Sequence, residues 1–164
     1  MVRAAELWAR RWGADAVDAM AAVTSIMRAQ QILLGELDAA LRPYGLTFAR
    51  YEALVLLTFA REGKLPLSKI GARLMVHPTS VTNTIDRLER AGLVAREPNP
   101  ADRRGTLASI TPAGRAVVER ATADLTSARF GLGSLPGADL DTLFEVLTRL
   151  RVDAGDFTPA PVDR

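Results

Sequence analysis

Three observations predict the fold class: two short helices joined by a tight turn, an arginine-tipped hairpin directly after them, and long amphipathic helices on either side. Together they give a mainly α chain with a small β-hairpin wing, a winged helix-turn-helix that dimerises through its N- and C-terminal helices. The first two features lie together in Leu67 to Thr111, LSKIGARLMVHPTSVTNTIDRLERAGLVAREPNPADRRGTLASIT. A helix sized for a DNA major groove there stands beside a ribbon sized for a minor groove.

Each element has its own local signals. Residues 3–20 carry Leu7, Trp8, Trp12, Val17 and Met20 among arginines and acids and predict a short extra helix that Gly13 ends or interrupts. Trp8 and Trp12 share a face at i,i+4. From about Val17 to Leu41, Val23, Ile26, Met27, Leu33, Leu34, Leu37 and Leu41 recur at three- and four-residue spacing, the pattern of a long amphipathic helix stopped by Pro43 and Gly45. Thr47 is the expected N-cap of a third helix carrying Tyr51, Leu54, Val55 and Thr58, with Gly63 as its end. Ser68 is the expected cap of the next helix, with Ile70 and Leu74 toward the core. Pro78 opens the one after it, which buries Val81, Ile85 and Leu88.

Gly92 releases the chain into Leu93-Val94-Ala95-Arg96. Pro98, Asn99 and Pro100 bar regular strand and mark the ribbon tip, and Thr106 to Ile110 returns. Thr111-Pro112 starts a long helix over about 112–130. GLGSLPG at 131–137 breaks it, and a last helix with Leu140, Leu143, Phe144, Leu147 and Leu150 runs to about 153. The expected organisation is 1–46 N-terminal dimerisation helices, 47–111 winged helix-turn-helix, 112–153 C-terminal dimerisation helices and 154–164 a fraying tail.

Composition narrows the function. The chain has 164 residues, 48% of them hydrophobic, with no cysteine and one histidine. Disulfides, thiolate metal sites and cysteine redox sensing are excluded, and neither a metal nor a cofactor is expected. No apolar run approaches the roughly 18 residues of a membrane span. With no signal-peptide pattern, the expected location is the cytoplasm. The formal net charge is only +2. Between Ser68 and Arg104, however, Lys69, Arg73, Arg87, Arg90, Arg96, Arg103 and Arg104 outnumber Asp86, Glu89, Glu97 and Asp102. The positive excess lies where phosphates would be met.

The central segment carries the chemistry. A helix reading the major groove needs short polar side chains at its start, and Thr79, Ser80, Thr82 and Asn83 precede and flank the apolar stripe. Asparagine can bond adenine bidentately, and threonine can contact a thymine methyl. The same residues also serve ordinary N-capping. Arg87 lies a turn further on, within reach of a phosphate or of Asp102 in the wing. Ser68, at the start of the preceding helix, joins the DNA-facing set. Arg103 and Arg104 sit at the hairpin tip, where a narrow minor groove attracts inserted arginine. A solvated charged turn is the other reading of that tip. His77, directly before Pro78, belongs to the turn or neighbours a phosphate.

SVTNTIDRLERAGLV…PNPADRRGTLASITPAGR resembles the multiple antibiotic resistance regulator (MarR) family of bacterial transcription factors, and the resemblance covers about residues 20–153. Its most specific part is Asp102-Arg103-Arg104 followed by Leu107, Ile110-Thr111 and Gly114. The resemblance implies a winged-helix homodimer with interlocked terminal helices, recognition helices in successive major grooves of a palindromic operator and a wing arginine in the flanking minor groove. Arg104 is then the wing contact, and Asp102 orients it or pairs with the recognition helix.

The extra N-terminal helix resembles the urate- and aconitate-responsive branch, in which a tryptophan and an acidic residue join arginines around an anion. Trp8 or Trp12 and Glu52 correspond, while Thr84 stands where that branch has a ligand arginine. Members commonly bind aromatic acids between the dimerisation helices and the reading head. The corresponding lining here is Trp12, Arg28, Tyr44, Phe48, Tyr51 and Glu52, aromatics at that turn being equally suited to a core.

The expected function is a sequence-specific DNA-binding regulator, a homodimeric repressor of a palindromic operator released by a small aromatic or anionic ligand. The alternative is a winged helix used only for protein contacts. An enzyme is not expected: the chain has no nucleophile elbow, no P-loop and no paired metal ligands, and GLGSLPG follows no strand and reads as a helix–helix loop.

Overall fold

The computed structural model describes residues 2–102 and 105–157. The chain divides into two units, one ending at Phe130 and one beginning at Gly131. In chain order the first unit contains α1 (Val2–Trp12), α2 (Val17–Leu41), α3 (Phe48–Phe59), β1 (Lys64–Pro66), α4 (Leu67–Leu74), α5 (Pro78–Arg90), β2 (Val94–Pro98), β3 (Thr106–Ile110) and α6 (Pro112–Ser127). The second contains α7 (Gly137–Asp153). The fold is the predicted one: mostly helical, with a winged helix-turn-helix at its centre.

The boundaries of α2 follow the apolar periodicity from Val17 to Leu41, and a 3-10 turn over Arg42–Tyr44 takes the chain through Pro43 to Gly45. At Phe48 the expected cap changes hands. Thr47 makes no side-chain cap bond, and Asp38 Oδ1 on α2 accepts from the Phe48 N–H at 2.7 Å. A carboxylate at a helix N-terminus also suits the helix dipole. α3 stops at Phe59 rather than at Gly63, which closes a further 3-10 turn over Arg61–Gly63. Ser68 does not cap α4. Pro66 holds the N-cap position, and Ser68 lies within the first turn. α6 ends at Ser127, short of 130, and a separate turn follows over Arg129–Gly131.

The wing belongs to a three-stranded antiparallel sheet of order β1-β3-β2. β1 is the element the sequence pattern hides. It is three residues long and pairs Lys64 with Ser109, Leu65 with Ala108 and Pro66 with Leu107. A proline is tolerated there because β1 is an edge strand, where a missing N–H breaks no ladder. Pro98, expected to bar strand, is the last residue of β2 and pairs with Thr106.

The core of the first unit is continuous. Leu41, Leu54, Leu57, Ile70, Ile85, Leu88 and Leu125, drawn from α2 through α6, are each almost fully buried. At about 1.5–3 kcal/mol for each such side chain, these residues hold the reading head on the long helices. Thr111 locks α6 to the wing. Its Oγ1 accepts from Gly114 N at 3.0 Å and donates to the Gly92 carbonyl at 2.8 Å, and Pro112 supplies the first turn.

The turn between α4 and α5 stores strain. Met75 closes α4 in the left-handed region at φ 51° and is 68% exposed. That conformation costs a non-glycine residue about 1–2 kcal/mol. Met75→Gly loses little burial and removes the strain, so it should stabilise the fold by about 1 kcal/mol and raise the melting midpoint by roughly 2–4 °C. A midpoint that falls in a thermal melt followed by circular dichroism would contradict this account of the turn.

Candidate nucleic-acid interface

α5 is built to present one polar face. Pro78 occupies its first turn, and His77 is its N-cap, with Nδ1 accepting from the Thr79 N–H at 3.3 Å. Val81, Ile85 and Leu88 are buried, while Thr79, Ser80, Thr82, Asn83, Arg87 and Arg90 are exposed. Thr82 Oγ1 donates back to the Pro78 carbonyl at 3.1 Å, so its hydroxyl proton is engaged and its methyl and lone pairs remain. Among the described residues the side chains of Thr79, Ser80, Asn83 and Arg87 make no hydrogen bond or ion pair. Donors, acceptors and the guanidinium groups of Arg87 and Arg90 therefore face solvent on a helix whose other side is packed.

α4 supports α5 at close range. A Cβ at Gly71 would meet Val81 Cγ2 at 3.0 Å and the Val76 carbonyl at 3.4 Å, which sets how near the two helices come. An apolar cavity of about 490 Å³ lies along their junction, lined by Leu67, Ala72, Met75, Val76, Val81 and Thr82 among others. Ser68, Lys69 and Arg73 of α4 are exposed.

The wing is closed by its own backbone. Asn99 N donates to the Gly105 carbonyl at 3.1 Å, Asp102 N to the Asn99 carbonyl at 3.2 Å and Gly105 N to the Asp102 carbonyl at 2.9 Å. Asn99 Oδ1 accepts from Ala101 N at 3.0 Å, an Asx turn. The predicted tip contacts Arg103 and Arg104 lie outside the described residues. At the wing base Lys64 Nζ on β1 meets Glu97 Oε2 on β2 at 2.6 Å. The Lys64 hydrogen bond holds the Glu97 carboxyl below the usual glutamate range.

The ionic tie from wing to recognition helix is one that sequence reasoning missed. Arg96 of β2 reaches α5, with its guanidinium 2.5 Å from Asp86 Oδ1 and 3.3 Å from Glu89 Oε2, and it donates to the Thr82 carbonyl at 3.4 Å. The only advance signal was Asp86 and Glu89 at i,i+3, facing a strand that alternates Val94 and Arg96 on one side.

A family model for MarR matches residues 49–106, the span from α3 to the start of β3. The crystal structure of Sco5413, a MarR family transcriptional regulator from Streptomyces coelicolor, is 65% identical, covers 87% of this chain and 99% of its own, and superposes with a TM-score of 0.81. The chain belongs to the MarR family. An organic hydroperoxide resistance transcriptional regulator of Bacillus subtilis is 31% identical over 105 residues, 64% of this chain and 69% of the relative. An uncharacterised HTH-type regulator of the same organism, YhbI, is 31% identical over 96 residues, 58% of this chain and 61% of the relative, so the chain spans about three fifths of that protein. These matches make the chain a DNA-binding transcription regulator of the winged helix-turn-helix type. Whatever the hydroperoxide regulator senses, thiol oxidation is not open to this MarR family chain, which has no cysteine.

The residues expected to hold a ligand fall into two groups in this MarR fold. Tyr44, Phe48 and Tyr51 come together where α3 meets α6. The Phe48 and Tyr51 rings lie 6.0 Å apart, and Tyr51 Oη shares a 2.9 Å hydrogen bond with Thr122 Oγ1. Tyr44 Oη donates to Asp124 Oδ2 at 2.5 Å, and Arg120 lies over its ring. The Asp124 hydrogen bond raises the Tyr44 phenol above its ordinary value. Glu52, beside Tyr51 on α3, is pushed up by partial desolvation. Trp12 is 68% exposed on α1, 4.7 Å ring to ring from Trp8, and Arg28 is exposed on α2. Among the described residues no hydrogen bond, ion pair or ring contact joins Trp12 or Arg28 to the tyrosines.

Proposed function

We propose that this protein is a homodimeric, sequence-specific repressor that binds a palindromic operator and is released by a small aromatic or anionic ligand. The observation that carries DNA reading is the exposed polar face of α5, Thr79, Ser80, Thr82, Asn83 and Arg87, backed by the buried stripe of Val81, Ile85 and Leu88. In this reading Ser68 at the start of α4 contacts a phosphate. Arg104, with Arg103 beside it, enters the minor groove, and Asp102 supports the wing.

Dimerisation is supported separately in each unit. On α1 and α2, Leu7, Trp12, Val23, Met27 and Ile32 are each more than half exposed, and on α7 so are Phe144 and Leu150. Apolar area of this kind is costly to leave in water and marks an interface. A two-fold pair of α5 helices must then lie about one DNA turn apart, roughly 34–36 Å. A ligand among Trp12, Arg28, Tyr44, Phe48, Tyr51 and Glu52 would act on that spacing. A coupling of about 1–3 kcal/mol shifts affinity by roughly 5- to 150-fold. No helix among the described residues is long and apolar enough to cross a membrane.

The test is fluorescence anisotropy with the protein's own upstream DNA and a shuffled duplex at two salt concentrations. Tight binding that prefers the first duplex and weakens steeply with salt is expected. Arg104→Ala should cost about 1–3 kcal/mol on the specific duplex, the scale of a good groove contact. Equal affinity for wild type and variant at fixed salt would remove the wing from the interface. A winged helix used only for protein contacts would show neither preference nor a salt slope.

A further inference from the structure

We propose that Arg96 is a positioning residue for DNA reading. It fixes the angle between wing and recognition helix and offsets part of the negative charge of that helix's two carboxylates, without itself contacting the duplex. The proposal rests on the DNA reading above.

The geometry is that of a clamp. One guanidinium spans Asp86 at 2.5 Å, Glu89 at 3.3 Å and the Thr82 carbonyl at 3.4 Å, so both terminal nitrogens are engaged inside the protein. The Arg96 side chain is 28% exposed, and Asp86 and Glu89 are 33% and 40% exposed. At that exposure a pair contributes little stability on its own. Its value is directional: a planar fork meeting two carboxylates defines an orientation that a point charge does not.

Position along the ribbon gives the clamp its leverage. Val94, two residues earlier on β2, and Ala108, the partner of Arg96 on β3, are buried, whereas Pro98, Pro100 and Ala101 beyond it are exposed. Arg96 thus ties the ribbon to α5 where the chain leaves the core for the tip. Adjacent strand residues point to opposite faces, and Glu97 is held by Lys64 at 2.6 Å. The wing base is therefore braced on both faces, toward α5 by Arg96 and across the sheet by Lys64.

The second role is electrostatic. Asp86 and Glu89 sit on the helix that must approach a polyanion. Paired to the one guanidinium of Arg96 they leave a single net negative charge instead of two. Unpaired they would repel phosphates and oppose Arg87 and Arg90 on the same helix.

The experiment measures binding of the full chain to a duplex selected from random DNA by the wild-type protein, and to a shuffled duplex, across a salt series. Arg96→Met should lower the preference for the selected duplex by about tenfold or more, the scale of one lost base contact. Its salt slope should change by well under one unit, because no phosphate contact is removed. Arg96→Lys keeps the charge without the fork and should recover general affinity while leaving the preference reduced. Adding Asp86→Asn and Glu89→Gln to Arg96→Met should likewise restore affinity for the shuffled duplex and not the preference. Circular dichroism melts establish that each variant is folded, and Arg96→Lys carries the comparison should Arg96→Met fail to fold. A folded Arg96→Met or Arg96→Lys that keeps the wild-type preference would overturn the proposal. So would equal losses on both duplexes with a salt slope reduced by about one, which would make Arg96 a phosphate contact. If wild type shows no preference after selection, the DNA reading falls first and the proposal with it.

Discussion

Gly114→Ala lowers the stability of the folded chain by about 2–4 kcal/mol, more than most single substitutions, because there is no room for one extra carbon. A Cβ on Gly114 would lie 2.2 Å from the Leu93 carbonyl oxygen and 2.9 Å from Ile110 Cγ1. Neither neighbour can withdraw cheaply. The Leu93 carbonyl accepts from Thr111 N at 3.0 Å, and Leu93 and Ile110 are core residues. Elsewhere in a helix, alanine would be the better residue by roughly 1 kcal/mol, so the sign of the effect itself discriminates. Urea unfolding of wild type and variant measures it, and a midpoint unchanged or raised would mean that α6 is not pressed against the Leu93 backbone. Because the same contact seats α6 beside the wing, DNA binding should weaken along with stability.

Asn83→Ala lowers affinity for the specific duplex by about 1–3 kcal/mol, the range for a good side-chain pair to a base edge. Affinity for a shuffled duplex and the salt slope should hold steady, since asparagine carries no charge. Folding is not a confounder. Asn83 is exposed and makes no side-chain hydrogen bond among the described residues, and alanine has the higher helix propensity. A variant that loses equally on both duplexes would place Asn83 on the backbone of the DNA. One that loses nothing would move the reading face elsewhere on α5.

Much of the architecture was legible because its signals are local. Apolar residues at three- and four-residue spacing delimit α2 at Val17 and Leu41. Pro78 and the stripe Val81, Ile85, Leu88 define α5 and, by exclusion, its polar face. Thr111-Pro112 caps α6 by a bond that spans three residues. What escaped the sequence was decided at long range. β1, with three residues and a proline, has no periodicity to read and is a strand only because β3 offers it an open edge. Asp38 takes the cap of α3 from ten residues upstream, where Thr47 is the residue a local rule selects. Glu97 meets Lys64 from 33 residues away.

The same division runs through the candidate interface. The sequence by itself determined that one segment carries a helix with a polar reading face and a hairpin with arginines at its tip, since cap, stripe and turn each act within a few neighbouring residues. Only the tertiary structure decided which polar groups are consumed in holding the fold. The hydroxyls of Tyr44 and Tyr51 are engaged by Asp124 and Thr122, 80 and 71 residues along the chain. Arg96, one more basic residue in a basic segment, is the clamp on Asp86 and Glu89, whereas Arg87, one position from Asp86, remains exposed to solvent. The physical reason is distance. Hydrogen bonds and ion pairs form within about 3–4 Å, and which groups come that close is settled when the core closes around Leu54, Ile70 and Ile85.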